Sequence, residues 1–235
     1  KIIQRFKGKH LVTFESSNEW ESLPQTLNLD INGNSCRQHI GDHAFYTHES
    51  AAYAFSLKGI TISLEGGING YWRSMNSELP ELPEQLSGMT ENVVHTNSFT
   101  VYATPKLEYW IKRVNLTLNL PVSFAHYSFD KAIANHDEVY FSPSLGFNWK
   151  PNNRFSGNIR GGIGRSPMNL NLIHPELIMM DYRTLKSGVN NFYNSTSQNV
   201  LASFQYKCTR YGLFANGMVL HTWSHLPYTL SQQLY

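Results

Sequence analysis

Charge is scarce in this sequence: Asp, Glu, Lys and Arg make up 15% of its 235 residues, where an ordinary soluble domain carries about 25%. The net charge of +2, without any Lys/Arg-rich block, argues against nucleic acid as a partner. Cys36 and Cys208 are the only cysteines, which excludes a disulfide framework and leaves one bridge at most. No apolar run nears the roughly 18 residues of a transmembrane helix. That rules out helical spans and leaves a β-barrel open, because a barrel strand shows only every second residue to lipid. The chain starts at Lys1 without an initiator Met or signal peptide and reads as a mature segment or a fragment.

Asn, Ser, Thr, Gly and a 13% share of aromatics take the place of the missing charge. They are arranged with a period of two. Ile60, Ile62, Leu64, Gly66, Ile68, Gly70 and Trp72 alternate with Thr61, Ser63, Glu65, Gly67, Asn69 and Tyr71. Val114, Leu116, Leu118, Leu120, Val122 and Phe124 alternate with Asn115, Thr117, Asn119, Pro121 and Ser123. The same pattern runs over 138–149, 155–163 and 200–206. Alternation of this length predicts strands, each with one apolar and one polar face.

Short connections join these strands in pairs, at Lys58-Gly59, at 111–113, at 150–153 and at 207–210, with a weaker fifth turn expected at 21–24. Long loops are expected between the hairpins, over 34–42, 74–96, 129–137 and 166–190. Short turns then fall on one side of the sheet and long loops on the other, the layout of an outer-membrane barrel with short periplasmic turns and long extracellular loops. The predicted fold is all-β: an antiparallel up-and-down transmembrane barrel segment of about ten long strands. Trp20, Tyr109, Trp110, Trp149 and Tyr206 are expected beside the short turns, and Tyr71, Trp72, Tyr127 and Phe129 near the long loops, as two interfacial belts. Cys36 and Cys208 fall at opposite ends of the strands, too far apart to bridge.

Sites of chemistry are thin. Cys36, His39, His43 and His48 are the only dense set of metal-ligand types, and surface-loop histidines are expected there instead of four ligands converging on one point. Gly157, Gly161, Gly162 and Gly164 lie within a strand pattern, unlike a phosphate-binding turn. No nucleophile elbow or zinc-protease motif occurs. No catalytic residue, metal or cofactor is expected.

Three segments carry a family resemblance: Val114-Asn-Leu-Thr-Leu-Asn-Leu-Pro-Val-Ser-Phe, Tyr140-Phe-Ser-Pro-Ser-Leu-Gly-Phe-Asn-Trp-Lys-Pro, and Met180-Asp-Tyr-Arg-Thr-Leu-Lys-Ser-Gly. They resemble the barrel of a TonB-dependent receptor of the Bacteroidota type. Such receptors are plugged barrels that import iron chelates, vitamins or glycans with energy passed through TonB. The resemblance implies residence in the bacterial outer membrane, contact with its lipid, and a plug domain and TonB complex as partners through an N-terminal part. This chain shows no plug, TonB box or signal sequence, and residues 1–235 are expected to form a partial barrel domain. The expected lumen-facing set is Glu65, Asn69, Tyr71, Tyr102, Lys106, Glu108, Asn115, Asn119, Asn158 and Arg160. From these and the start of the longest loops, Asn69, Tyr71, Trp72, Arg73, Tyr102, Asn119, Asn158 and Arg160 are the candidates for contacting a small-molecule ligand. The rival readings are a passive porin-like or adhesive barrel and a soluble all-β glycan-binding module, the last with its apolar face buried against a second sheet.

Overall fold

The computed structural model describes residues 1–6, 9–31, 34–79, 91–130, 133–174, 176–181, 184–189 and 191–227, with the backbone alone for 29–31, 34–36, 180–181 and 184–185. Strands follow one another through the chain: β1 Ile2–Phe6, β2 His10–Ser22, β3 Gln25–Ile31, β4 Asn34–Leu57, β5 Ile60–Glu78, β6 Glu91–Ile111, β7 Val114–Asn119, β8 Val122–Phe129, β9 His136–Phe141, β10 Ser144–Trp149, β11 Phe155–Pro167, β12 Leu177–Asp181, β13 Thr184–Ser187, β14 Asn194–Cys208 and β15 Leu213–His225. All but β12 and β13 belong to one antiparallel sheet of thirteen segments.

Three pairs of those segments are halves of single strands. Both β2 and β3 pair with β4, and the register at Ser22↔His43 continues unchanged at Gln25↔Ile40. Both β7 and β8 pair with β6, again in unbroken register. The halves β9 and β10 run on likewise, beside β8 and β7. Each interruption holds a proline, at Pro24, Pro121 and Pro143. Proline has no N–H to give the ladder, so one rung is lost while the strand continues. Leu23 N still donates to Asp42 O at 2.8 Å, Leu120 N to Pro105 O at 3.0 Å and Ser142 N to Pro121 O at 3.1 Å. Joining the halves leaves a meander of ten long strands, with β1 and β15 at its edges.

The turn expected at 21–24 is therefore corrected: it is the joint between β2 and β3, and the reversal comes between Ile31 and Asn34. The expected loop at 34–42 is part of β4, and that at 74–96 shrinks because β5 reaches Glu78 and β6 begins at Glu91. At the other end of the strands the turns are tight as expected. Lys58 and Gly59 take φ of +44° and +88°, and Trp110 N reaches over to Gly59 O at 2.7 Å.

Residues paired across an antiparallel ladder share a face, so the register sorts the side chains into two sets. One face, called outer, carries the row Ile68, Val101, Phe124 and Val139 and the row Leu107, Leu118, Leu145, Gly161 and Val200. Most of these apolar groups are open, with Phe124 48% and Val139 58% exposed. Above Trp72 the same face turns polar on β5, with Ser74, Asn76 and Glu78, and the pair His126–Asp137 at 2.6 Å lies on this face across β8 and β9, in register with Gly70. Trp20, Phe45 and Trp72 form an aromatic row on this boundary, with ring centroids 6.4 and 5.7 Å apart. Trp20 thus belongs to the long-loop end, not to the short turns, because β2 runs on through Pro24.

The other face, called inner, is polar along most of its length and is covered at its long-loop end. The described residues between Met168 and Tyr193 leave β11, make a 3₁₀ turn at Leu170–Leu172 and a hairpin of β12 and β13, and fold back onto the sheet as a cap. Ala125, Tyr127, Phe129 and Tyr140 of the wall pack against Met168 and Ile173, with Phe192 beside them. Further along, Met75 and Val94 pack against Ile178 of the hairpin. The buried apolar groups of the chain lie largely here, between cap and wall.

Tyr127→Ala should cost roughly 3–5 kcal/mol of local stability, as expected for a large aromatic lost from a packed core. Hydrogen exchange of amides 168–173 reads this as faster exchange. Phe124→Ala, on the exposed face of the same strand, should leave those amides protected; equal effects of the two substitutions would refute the facing.

Candidate functional site

The inner wall of β4, β5 and β6 brings together four of the eight expected ligand contacts. Inward positions alternate along each strand, giving Asp42, Tyr46 and His48 on β4, Asn69, Tyr71 and Arg73 on β5, and Thr96 and Tyr102 on β6. Arg73 and Asp42 form a bidentate pair, Nε to Oδ1 at 2.8 Å and Nη2 to Oδ2 at 2.7 Å. Paired charge-assisted bonds of this kind fix the guanidinium plane. The Arg73 side chain is only 6% exposed, and its Nη2 also lies 3.4 Å from Met75 Sδ. It does not begin a loop, as expected from the sequence, but sits within β5 and beneath the cap.

The Tyr71 and Tyr46 rings lie together with centroids 4.8 Å apart, and the Tyr71 hydroxyl donates to Asn171 Oδ1 of the cap at 3.2 Å. Closer to the short turns, His48 Nδ1 and Asn69 Oδ1 are 2.6 Å apart. The His48 ring stacks on Tyr102 at 6.1 Å and 10°. Tyr102 in turn donates to Glu65 Oε1 at 3.0 Å, and its ring occupies the space where a side chain on Gly67 would stand. The result is a connected strip of hydrogen-bonding and aromatic groups running from the cap down the wall.

The remaining candidates lie elsewhere. Trp72 points to the outer face beside Phe45 and cannot share a site with its neighbours on β5. Asn119, Asn158 and Arg160 are on the inner face but on β7 and β11. There Asn115, Asn148 and Asn158 form a side-chain ladder across β7, β10 and β11, and Asn119 Nδ2 donates to Ser144 Oγ at 3.2 Å. Asn158 also lines an open cleft of about 780 Å³ near the short turns, with Trp110, Asn148 and Ser203. The metal-ligand set does not converge. His39 and His43 face outward and His48 inward, the Cys36 side chain lies outside the described residues, and no group of three metal-ligand side chains occurs among those described.

The sequence missed the cap's share of the site. Asn92, wholly buried, donates to Leu177 O at 3.3 Å and accepts from Glu176 N at 2.8 Å. Gln38 Oε1 accepts from Met179 N at 3.1 Å. These bonds satisfy cap backbone that would otherwise be stranded away from water, and they join residues as much as 141 positions apart. His174 is buried and bonds through Nδ1 to Glu176 O at 2.9 Å. Burial holds its pKa below the ordinary histidine value, and the nearby charges of Lys186 and Arg73 add to the effect against the opposing bond to Glu176.

The chain superposes on the ferric yersiniabactin uptake receptor FyuA from Yersinia pestis with a TM-score of 0.63 and 12% identity. The match covers 94% of this chain and 34% of that one, so the chain spans about a third of that receptor's length. No protein-family profile and no curated protein matches by sequence. At this identity the likeness is one of fold: the sheet has the antiparallel β-barrel architecture of that receptor, here as an open meander.

A histidine whose folded pKa is depressed stabilises the fold fully above its unfolded value and loses that contribution as pH falls. The cap should therefore loosen as pH drops below about 6.5, His174's ordinary value. Limited proteolysis within 168–193 at pH 7.5 and 5.5 reads this as faster cutting at the lower pH. His174→Gln should flatten the dependence, and an unchanged profile in that variant would assign it to other groups.

Proposed function

We propose that this chain is barrel wall of a bacterial outer-membrane receptor that imports a scarce nutrient by the TonB route. The observation that carries the reading is the outer face. Its apolar row from Ile60 to Trp72, at about 3.3 Å per residue and a tilt near 45°, covers roughly 28 Å of depth, close to the roughly 25 Å apolar band of outer-membrane barrels. The aromatic row of Trp20, Phe45 and Trp72 marks its upper boundary, as interfacial aromatics do. Outer-membrane lipid is the partner that this face fits. A soluble monomer rarely leaves so much contiguous apolar surface open, and among the described residues no second sheet covers it, as the glycan-binding sandwich would require.

The inner face supports a receptor over a passive pore. The cap is folded across the long-loop end of the wall and bonded to it through buried polar groups, which obstructs simple diffusion along that wall. A ligand arriving from outside would meet the cap and then the strip of Tyr71, Arg73, Asn69 and Tyr102. A plug and the TonB complex complete this reading as partners, with an iron chelate, vitamin or glycan as cargo and no chemistry performed on it. The resemblance of three segments to Bacteroidota receptors supports a parent protein of that type.

Two measurements test the reading. Val139→Arg and Leu145→Arg should each cost about 2–4 kcal/mol of folding stability in lipid, the penalty for a cation on the lipid face at mid-depth. Arg160→Ala should stay within about 0.5 kcal/mol, as surface substitutions do. In cells, a protonophore should abolish uptake through the intact protein, whereas uptake that persists without the proton gradient would make it a passive pore.

A further inference from the structure

Two buried polar atoms, on residues that face each other across the wall, have no partner among the described residues. Arg73 and Thr96 face each other across β5 and β6. Arg73 spends Nε and Nη2 on Asp42, while its Nη1 has no hydrogen-bond partner among the described residues. Thr96 is 0% exposed, and its Oγ1 likewise has no partner among the described residues. Buried donors are rarely left unmet, and here two of them belong to facing residues beneath a cap. The cap brings further positive charge. Lys186 is paired with Ile178 in the hairpin and so shares its face, the face that packs on Met75 and Val94. Met75 is the residue that Arg73 Nη2 touches. Lys186 forms no ion pair among the described residues, and both it and Arg73 act on His174 electrostatically. Asp42 neutralises only one of the two cations.

We propose that Arg73 Nη1 and Thr96 Oγ1, with Lys186 closing from the cap, bind an oxyanion group of a small ligand, a carboxylate or a phosphate. The inference rests on the receptor reading above and names the chemistry of its cargo. The guanidinium is held in plane by Asp42, so its free edge is already aimed when the ligand arrives. The hydroxyl of Thr96 donates the second bond. Lys186 supplies a charge that leaves when the cap lifts, which couples anion binding to cap closure: a bound anion draws the cap down, and an open cap releases it. The adjacent, mutually tilted Tyr46 and Tyr71 rings alongside offer an aromatic surface to the body of the ligand next to its charged end.

The test titrates citrate, and separately inorganic phosphate, into the detergent-purified protein by calorimetry, with Thr96→Val and Lys186→Gln beside the wild type. Thr96→Val keeps the side-chain shape and removes a hydroxyl that nothing in the wall uses, so the variant should fold at least as well as wild type. It should nevertheless bind the probe about tenfold more weakly, as expected for one lost hydrogen bond to a charged group. Lys186→Gln should weaken binding similarly while leaving the Arg73–Asp42 pair intact. Citrate binding that phosphate does not displace identifies a carboxylate ligand; displacement by phosphate identifies a phosphate-bearing one. Absence of binding by either probe at about 10 mM, weaker than any specific affinity of use to a receptor, overturns the site, as does wild-type affinity in both variants. Energised uptake without probe binding would discard the site and spare the import reading. Probe binding without energised uptake would do the reverse.

Discussion

Residues opposite one another in an antiparallel ladder must point the same way, and the whole arrangement of this chain depends on keeping that register unbroken over ten strands. A slip of one residue anywhere would carry the apolar row of one strand to the polar side. The prolines at 24, 121 and 143 show how strongly the register is kept: each removes a ladder donor, yet pairing resumes on the far side with the same partners. The outer face stays apolar and the inner face hydrogen-bonding because nothing in the sheet shifts by one.

That same constraint decides what the sequence reveals. Between Ile60 and Trp72 the two faces differ sharply in polarity, and alternation alone identifies strands, facing and short turns. Above Trp72 the contrast disappears. Ser74, Asn76 and Glu78 are polar on the outer side, while Arg73 and Ser77 share the inner side with Met75. A strand with two mixed faces looks like a loop, so in sequence the upper parts of β4, β5 and β6 read as loops, and Asp42 and Thr96 with them. Proline shows the same dependence on surroundings. Pro121 lies amid Leu118, Leu120, Val122 and Phe124 and reads as strand, whereas Pro24 follows Glu21 and Ser22 and reads as a turn.

The site was half legible for a related reason. Asn69, Tyr71 and Tyr102 declare their face through the strands that carry them. The cap declares nothing locally: Asn171, Glu176 and Met179 sit in a stretch without sustained periodicity, and their bonds come from side chains 84 to 141 residues away. Contacts of such separation leave no trace in a short window of sequence. The half-buried Asp42–Arg73 pair is likewise invisible until β4 and β5 are laid side by side.

The contact between Met179 and Gln38 also has a kinetic meaning. Hydrogen bonds in the meander join strands that follow closely in the chain, whereas the cap closes a loop of well over a hundred residues onto the first part of the wall. Long-range closures form late, because their entropy must be spent before their contacts can offset it. The wall up to β6 and beyond must therefore already be laid down before β12 and β13 have a surface to settle on. During assembly the apolar rows of the outer face would be in place first, and the inner face would be completed last, by a segment that arrives from outside the sheet.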